Sequence, residues 1–270
     1  MSELNNTNGT RIAKFLSSLN VCSRREAERL IAQGEVLVNG EVIKTPVCFV
    51  TERDVVCLGN RVVYGPRLHH DTKPKIWLYY KPRGEITTHR DPQGRRTVFA
   101  SAREAGLGRV VSVGRLDINS EGLLLLTNSS AVAHKLEFSG DSEEKIIRVY
   151  KVRFFGDWCR AMNHAALKRY TEPQKARWTV VLSNVVIDGI IYAPIKIEFL
   201  SAPSQKTKNS WCFVTITEGK NREIRKVFEH LGLAVNRLIR VSYGDFSLNE
   251  MTPPLRPGEF REWTGKQSIA

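Results

Sequence analysis

The chain has 270 residues, 41% of them apolar and 26% charged, a balance that excludes wholesale disorder, a collagen and a polytopic membrane protein. Forty-one Lys and Arg against 28 Asp and Glu leave a formal charge of +13, which points to a polyanionic partner; a surface kept soluble by its charge is the plainer reading. Apolar runs such as Leu123 to Leu126 fall far below the roughly 18 residues of a membrane span, and the opening MSELNNTNGT has neither a basic nor an apolar leader region, so a cytoplasmic protein away from membranes is expected.

The charge is uneven. Residues 1–60 carry seven basic and seven acidic side chains, whereas residues 61–96 carry nine and three. The five cysteines (Cys22, Cys48, Cys57, Cys159 and Cys212) are odd in number without CxxC spacing, against a disulfide framework or a structural zinc site. The histidines form no HExxH pattern, and His69 and His70 stand near Pro66 and Pro74 in what reads as a linker. No metal is expected.

In chain order, the first ten residues read as disordered. Ile12, Phe15, Leu16 and Leu19 then fall at i, i+3, i+4 and i+7, the stripe of an amphipathic helix. A second helix starts at Ser23, with Glu26 placed to complete a capping box and Gly34 placed to stop it. Two short apolar runs around Asn39-Gly40 predict a hairpin, and Arg61 to Tyr64 reads as a further strand.

The runs Arg11-Ile12-Ala13-Lys14-Phe15-Leu16, Ser23-Arg24-Arg25-Glu26-Ala27 and Gly34 to Gly40 resemble the S4 (αL-type) RNA-binding domain. The resemblance implies that Arg11, Lys14, Arg24, Arg25 and Arg29 face folded RNA, where Arg forks onto phosphate oxygens. Intrahelical pairing with Glu26 and Glu28 is the alternative. The module and its linker are placed at 11–70.

Beyond the linker, Ile76 to Tyr80 reads as a strand stopped by Lys81-Pro82-Arg83-Gly84, followed by a polar loop holding Arg90, Asp91, Arg95 and Arg96. Val113-Gly114-Arg115-Leu116-Asp117-Ile118-Asn119-Ser120-Glu121-Gly122 then reads as a strand entering a glycine-flanked turn, and Leu123 to Leu126 as a buried strand. Asn128 or Ser129 is placed to cap a helix through Ala131, Val132 and Leu136. An Asp on such a turn is by itself more often a cap than a catalyst. Strand-rich stretches are read at 76–80, 111–127, 145–155, 178–200 and 211–217. A helix after Asn221, its expected cap, buries Ile224, Val227, Phe228 and Leu231.

Gly114-Arg115-Leu116-Asp117 with Ser120-Glu121-Gly122-Leu123 to Asn128, then Arg148-Val149-Tyr150-Lys151-Val152, Thr217 to Phe228 and Arg237 to Asp245, resemble the pseudouridine synthases of the RsuA/RluB group, most closely its large-subunit rRNA branch. That group also carries an N-terminal S4 domain. Ser120 stands where Thr is usual and Ser129 where Asp is, the segment 137–141 lacks the usual His-Pro, and 156–210 matches loosely. The resemblance implies an α+β protein: the S4 module, then a catalytic domain over 71–264 around a mixed, mostly antiparallel sheet, and a tail at 265–270. It implies isomerisation of a uridine in ribosomal RNA by a monomer without cofactors, acting on rRNA or a pre-ribosomal particle. A small-subunit substrate and a non-catalytic S4-containing assembly protein are the alternatives. By motif position Asp117 is the acid, Arg225 its charge-assisted partner, Tyr150 the ring beneath the uracil and Arg115 the support of the extruded nucleotide. Lys81, Arg83, Lys220 and Arg222 are the phosphate candidates flanking the site.

Overall fold

A computed structural model describes residues 9–19, 21–66, 73–138, 145–161, 167–170, 178–200 and 209–265. The disorder expected over 1–10 lies outside the described residues at 1–8 and is corrected at its end, where Thr10–Arg11 pairs as a strand with Phe49–Val50; the His69-His70 linker, the tail from 266 and most of the 137–141 departure also lie outside the described residues. Among the described residues no helix is long and apolar enough to cross a membrane.

The chain divides into two compact units. In the first, helices Ile12–Ser18 and Arg24–Ala32 pack on each other, and Ile12, Leu16, Ala27, Ile31, Val36, Val38 and Val56 form a closed core. The Ser23 hydroxyl accepts the Glu26 amide at 3.1 Å. Only that half of the capping box forms, because the Glu26 carboxylate pairs with Arg29 one turn on. Asn39 and Gly40 adopt φ of 52° and 86°, the left-handed pair of a tight hairpin turn. Asn39 also clamps the neighbouring loop, donating to Asp54 Oδ1 at 2.7 Å and accepting from the Val55 amide at 2.8 Å. Strands Glu41–Val42, Val36–Val38, Val56–Leu58 and Arg61–Tyr64 make one antiparallel sheet in that order. Arg11, Lys14, Arg24, Arg25 and Arg29 are all exposed on this unit.

The second unit is built on a mixed sheet. Its main path runs Leu167–Tyr170, Trp178–Leu182, Ile195–Phe199, Asn209–Ile216, Arg148–Phe155, Ala234–Tyr243, Glu121–Thr127, Ile76–Lys81, Phe260–Glu262. Ala234–Tyr243 runs parallel to Glu121–Thr127, with Arg240 opposite Gly122, whereas the strands from Leu167–Tyr170 through Ala234–Tyr243 pair antiparallel, as does Phe260–Glu262 with Ile76–Lys81. Every residue of Glu121–Thr127 is buried, which explains its near-continuous apolar run. Helix Val98–Glu104, capped by the Thr97 hydroxyl, follows the polar loop that holds Arg95 and Arg96, in a stretch to which the sequence assigns no element. Ser129, not Asn128, caps helix Ser130–Glu137; Asn128 instead fixes the backbone at Lys73 and Lys75. The cap expected from Asn221 is also corrected: helix Glu223–His230 begins from Arg222 at φ 52° with no side-chain cap, and the Glu223 carboxylate accepts the Lys220 amide instead.

Candidate active site

The turn that carries Asp117 is held by its own carbonyls. Thr87 Oγ1 donates to Leu116 O at 2.9 Å, the Ser120 amide to Asp117 O at 3.0 Å and the Gly84 amide to Ile118 O at 2.8 Å. Arg225 Nη2 donates to Asn119 O at 3.0 Å, and Lys81 Nζ to Ser120 O at 2.9 Å. Each carbonyl from 116 to 120 is therefore engaged, so the turn cannot drift to satisfy itself elsewhere. Gly122 closes it at φ 97°, where a Cβ would lie 2.3 Å from Arg240 O. Only glycine lets the two parallel strands approach so closely.

Asp117 and Arg115 line a cavity of about 460 Å³ with Tyr150, Leu238 and Ile216. Seven basic side chains (Arg95, Arg115, Arg148, Lys220, Arg222, Arg225, Arg240) share that lining with three acids, Asp117, Glu137 and Glu223. Such a cavity attracts an anionic ligand before any specific contact is made. Tyr150 is buried in strand Arg148–Phe155, opposite Arg240 across a register shift that passes over Val241 of the neighbouring strand.

The expected roles of three residues need correction. Arg225 was placed as the direct partner of Asp117, but its guanidinium donates to Asn119 O and Val235 O. The cation nearest the Asp117 carboxylate is Arg222, with Nη1 3.8 Å from Oδ2. Arg225 is drawn to the turn rather than to its acid because a half-buried guanidinium needs hydrogen-bond acceptors for its fork; burial and the neighbouring Arg222 pull its pKa down while Asp117 opposes this. Lys81 was placed among the phosphate contacts, yet it is wholly buried, donating to Ser120 O and Pro82 O. Burial lowers its pKa to about 8, against the charges of Glu85, Asp117 and Glu121. Lys220 is likewise occupied, its ammonium held by Glu218 and the Ile191 carbonyl. Arg83 is exposed.

Sequence reasoning assigned no role to Arg240 or Glu223. Arg240 is buried, donates Nε to Leu123 O at 2.7 Å and stands over the Tyr243 ring. Burial and the charge of Glu218 raise the pKa of Glu223 to about 7. Among the described residues the buried side-chain atoms without a partner are Glu223 Oε1, Arg225 Nε and Arg240 Nη2, and all three residues line this one cavity. Both motifs were visible, but nothing in their spacing tells an inward Arg or Glu from a solvated one.

Comparison with known proteins places this geometry. The RNA pseudouridylate synthase model matches residues 75–230 and the S4 domain model residues 10–56. Over 257 residues the chain is 43% identical to a Rickettsia typhi protein named as an uncharacterized RNA pseudouridine synthase, covering 95% of this chain and 92% of that one. It is 34% identical over 244 residues to ribosomal large subunit pseudouridine synthase B of Buchnera aphidicola, covering 88% of each. The namesake from Vibrio cholerae is 35% identical over 243 residues, covering 90% of this chain and 69% of that one. A crystal structure of a pseudouridylate synthase, 22% identical, shares the fold with a TM-score of 0.53 over 94% of this chain and 96% of that one.

Proposed function

The chain belongs to the RNA pseudouridylate synthase family, and from that membership we propose that it isomerises a uridine of large-subunit ribosomal RNA to pseudouridine. The relatives named ribosomal large subunit pseudouridine synthase B support the choice of RNA. The observation that carries the chemistry is Asp117, set in a cavity wall with Tyr150 on a turn whose carbonyls are all engaged. The substrate is met as rRNA or within a pre-ribosomal particle in the cytoplasm. Residues 11–70 grip RNA and residues 71–264 carry the reaction.

The target base is out of reach inside a stacked helix and is extruded into the cavity. Asp117 then acts at the ribose, either attacking C1′ or withdrawing the C2′ proton. The N1–C1′ bond breaks, the uracil turns over the ring of Tyr150, and C5 bonds to C1′ as the Asp117–C1′ ester breaks or the withdrawn proton returns to C2′. The C5 hydrogen leaves to water and N1 gains a proton, so the reaction is redox-neutral. Arg225 acts through the turn, holding the Asn119 carbonyl and with it the position of Asp117. Arg222 supplies the cation beside the carboxylate. Arg115, exposed at the mouth, supports the extruded nucleotide, while Arg83 and the arginines of the first unit meet phosphates.

Release of tritium from 5-tritiated uridine in rRNA tests this directly, with release expected from the protein as it stands. Asp117→Asn is expected to reduce it by about 10⁴-fold, with RNA affinity and melting temperature kept, because the carboxylate makes only a 3.8 Å ion pair. Undiminished release by the variant would reject the assignment of the acid.

A further inference from the structure

A hairpin bonded to the cavity-lining Lys220 takes no part in the steps above. Strands Val185–Ile187 and Ile190–Tyr192 form a hairpin separate from the main sheet. Asp188 and Gly189 close it at φ of 52° and 75°, a turn whose twist suits a two-residue loop. Its inner face buries Val185 and Tyr192, and helix Glu223–His230 packs on the first strand. On its outer face Val186 stands directly opposite Ile191, 52% and 67% exposed, whereas Ile190, two residues before Tyr192, lies on the inner side. Lone exposed apolar side chains are ordinary, but a directly opposed pair on one face of a ribbon makes one continuous apolar spot.

The ribbon is fastened to the cavity wall. Lys220, a lining residue, donates Nζ to Ile191 O at 2.6 Å and to Glu218 at 2.7 Å, with its ammonium 5.5 Å from the Tyr192 ring. Glu218 in turn accepts the Ala193 amide at 2.8 Å. The strand bearing Ile191 is thus tied to the segment that carries Arg222 and Glu223.

We propose that this hairpin is an RNA-docking wedge, with Val186 and Ile191 resting on the bases that flank the uridine drawn into the cavity. The inference rests on the reading that the cavity receives an extruded nucleotide. Extrusion uncovers the faces of neighbouring bases, which are apolar, and apolar side chains placed there offset the lost stacking. Continuity with a strongly basic cavity favours RNA over a second copy of this chain, because that lining already draws the phosphate strand past the ribbon.

The test is a Val186→Ser/Ile191→Ser variant of the full chain. Both side chains are exposed and the substitutions are uncharged, so an unchanged melting temperature is expected and the electrostatics stay as they were. Tritium release and filter binding are measured on an rRNA stem-loop with the target uridine stacked. The same measurements are made on a matched RNA whose opposing strand is removed, leaving the uridine unstacked. The variant is expected to lose about tenfold in kcat/KM and affinity on the stacked RNA, and to match the unaltered protein on the unstacked one. Unchanged values on both RNAs overturn the wedge, as does an equal loss on both. Conversion of a dimer to a monomer in sedimentation with unchanged RNA binding would show the patch to be a contact between copies and would also overturn it. Filter binding reports the docking whether or not isomerisation is seen, so failure of the wedge is separable from failure of the enzyme assignment.

Discussion

The ammonium of Lys81 lies 2.9 Å from the carbonyl of Ser120, three residues beyond Asp117, and is wholly shut from solvent. A lysine at a strand end beside proline and arginine has the pattern of a nucleic-acid contact, yet here it braces the turn of the acid. Lys81→Met fills the same space without donors and leaves the Ser120 and Pro82 carbonyls unpaired, so a loss of about 1–3 kcal/mol in urea unfolding is expected. Because the turn relaxes, kcat should fall while RNA affinity stays. A variant that binds RNA less tightly but turns over normally would restore Lys81 to the phosphate contacts.

The same burial predicts a pH dependence. The folded pKa of about 8 lies below the ordinary lysine value of 10.5, so between these values the unfolded chain binds more protons than the folded one. Stability contributed through Lys81 therefore rises as pH climbs from about 8 toward 10.5. Unfolding of the protein and of Lys81→Met should show their stability difference growing over that window. A flat difference would mean that the lysine is solvated.

Gly122 is the point where the parallel strands touch. A methyl group there would stand 2.3 Å from Arg240 O, and φ of 97° is unsuited to any L side chain. Gly122→Ala is expected to cost at least about 4 kcal/mol, enough to leave little folded protein. Soluble, folded Gly122→Ala with ordinary melting would show that the strands can separate at no great cost.

What was legible in the sequence was what short-range physics decides. The Ser23 cap, the Asn39-Gly40 turn, the fully buried Leu123 to Leu126 run and the stripe of Ile224, Val227 and Phe228 each depend on residues within a few positions of one another. Less legible were features set across the fold. Whether Arg225 reaches a carboxylate or a carbonyl depends on where a turn 106 residues away presents its acceptors. Helix Val98–Glu104 is only seven residues long, too short for a period to stand out beside the polar loop before it. Asn221 has the chemistry of a cap, but the left-handed entry at Arg222 moves the helix start past it.

The exposed Arg24 and Arg25 of the first unit offer a test of that unit's part in RNA binding. If both meet phosphates, Arg24→Gln/Arg25→Gln weakens rRNA binding and lowers the slope of log Kd against log salt by about 1.4–1.8. Turnover at saturating RNA should be unchanged, since the cavity is lined only by residues of the second unit. Filter binding at several salt concentrations measures it. An unaltered slope would leave these arginines as solvated surface, as the ion pair of their neighbour Arg29 with Glu26 suggests for that residue.

Glu223 presents the opposite sign to Lys81. It is 3% exposed, its Oε1 has no partner among the described residues, and Oε2 accepts the Lys220 amide at 3.1 Å. Burial first, and then the charge of Glu218, raise its pKa from 4.5 to about 7, so the folded state holds the proton more tightly than the unfolded one. The stability this gives is complete below pH 4.5 and is lost as pH rises through about 7. Glu223→Gln keeps the shape of the protonated acid without its titration. The variant should match the protein near pH 5 and exceed it in stability near pH 8, where the protein bears a buried charge next to Glu218. Thermal melts at the two pH values decide it. A variant less stable than the protein at pH 8 would mean that ionised Glu223 is welcome in the wall, held by Lys220 and Arg148, whose charges pull its pKa the other way.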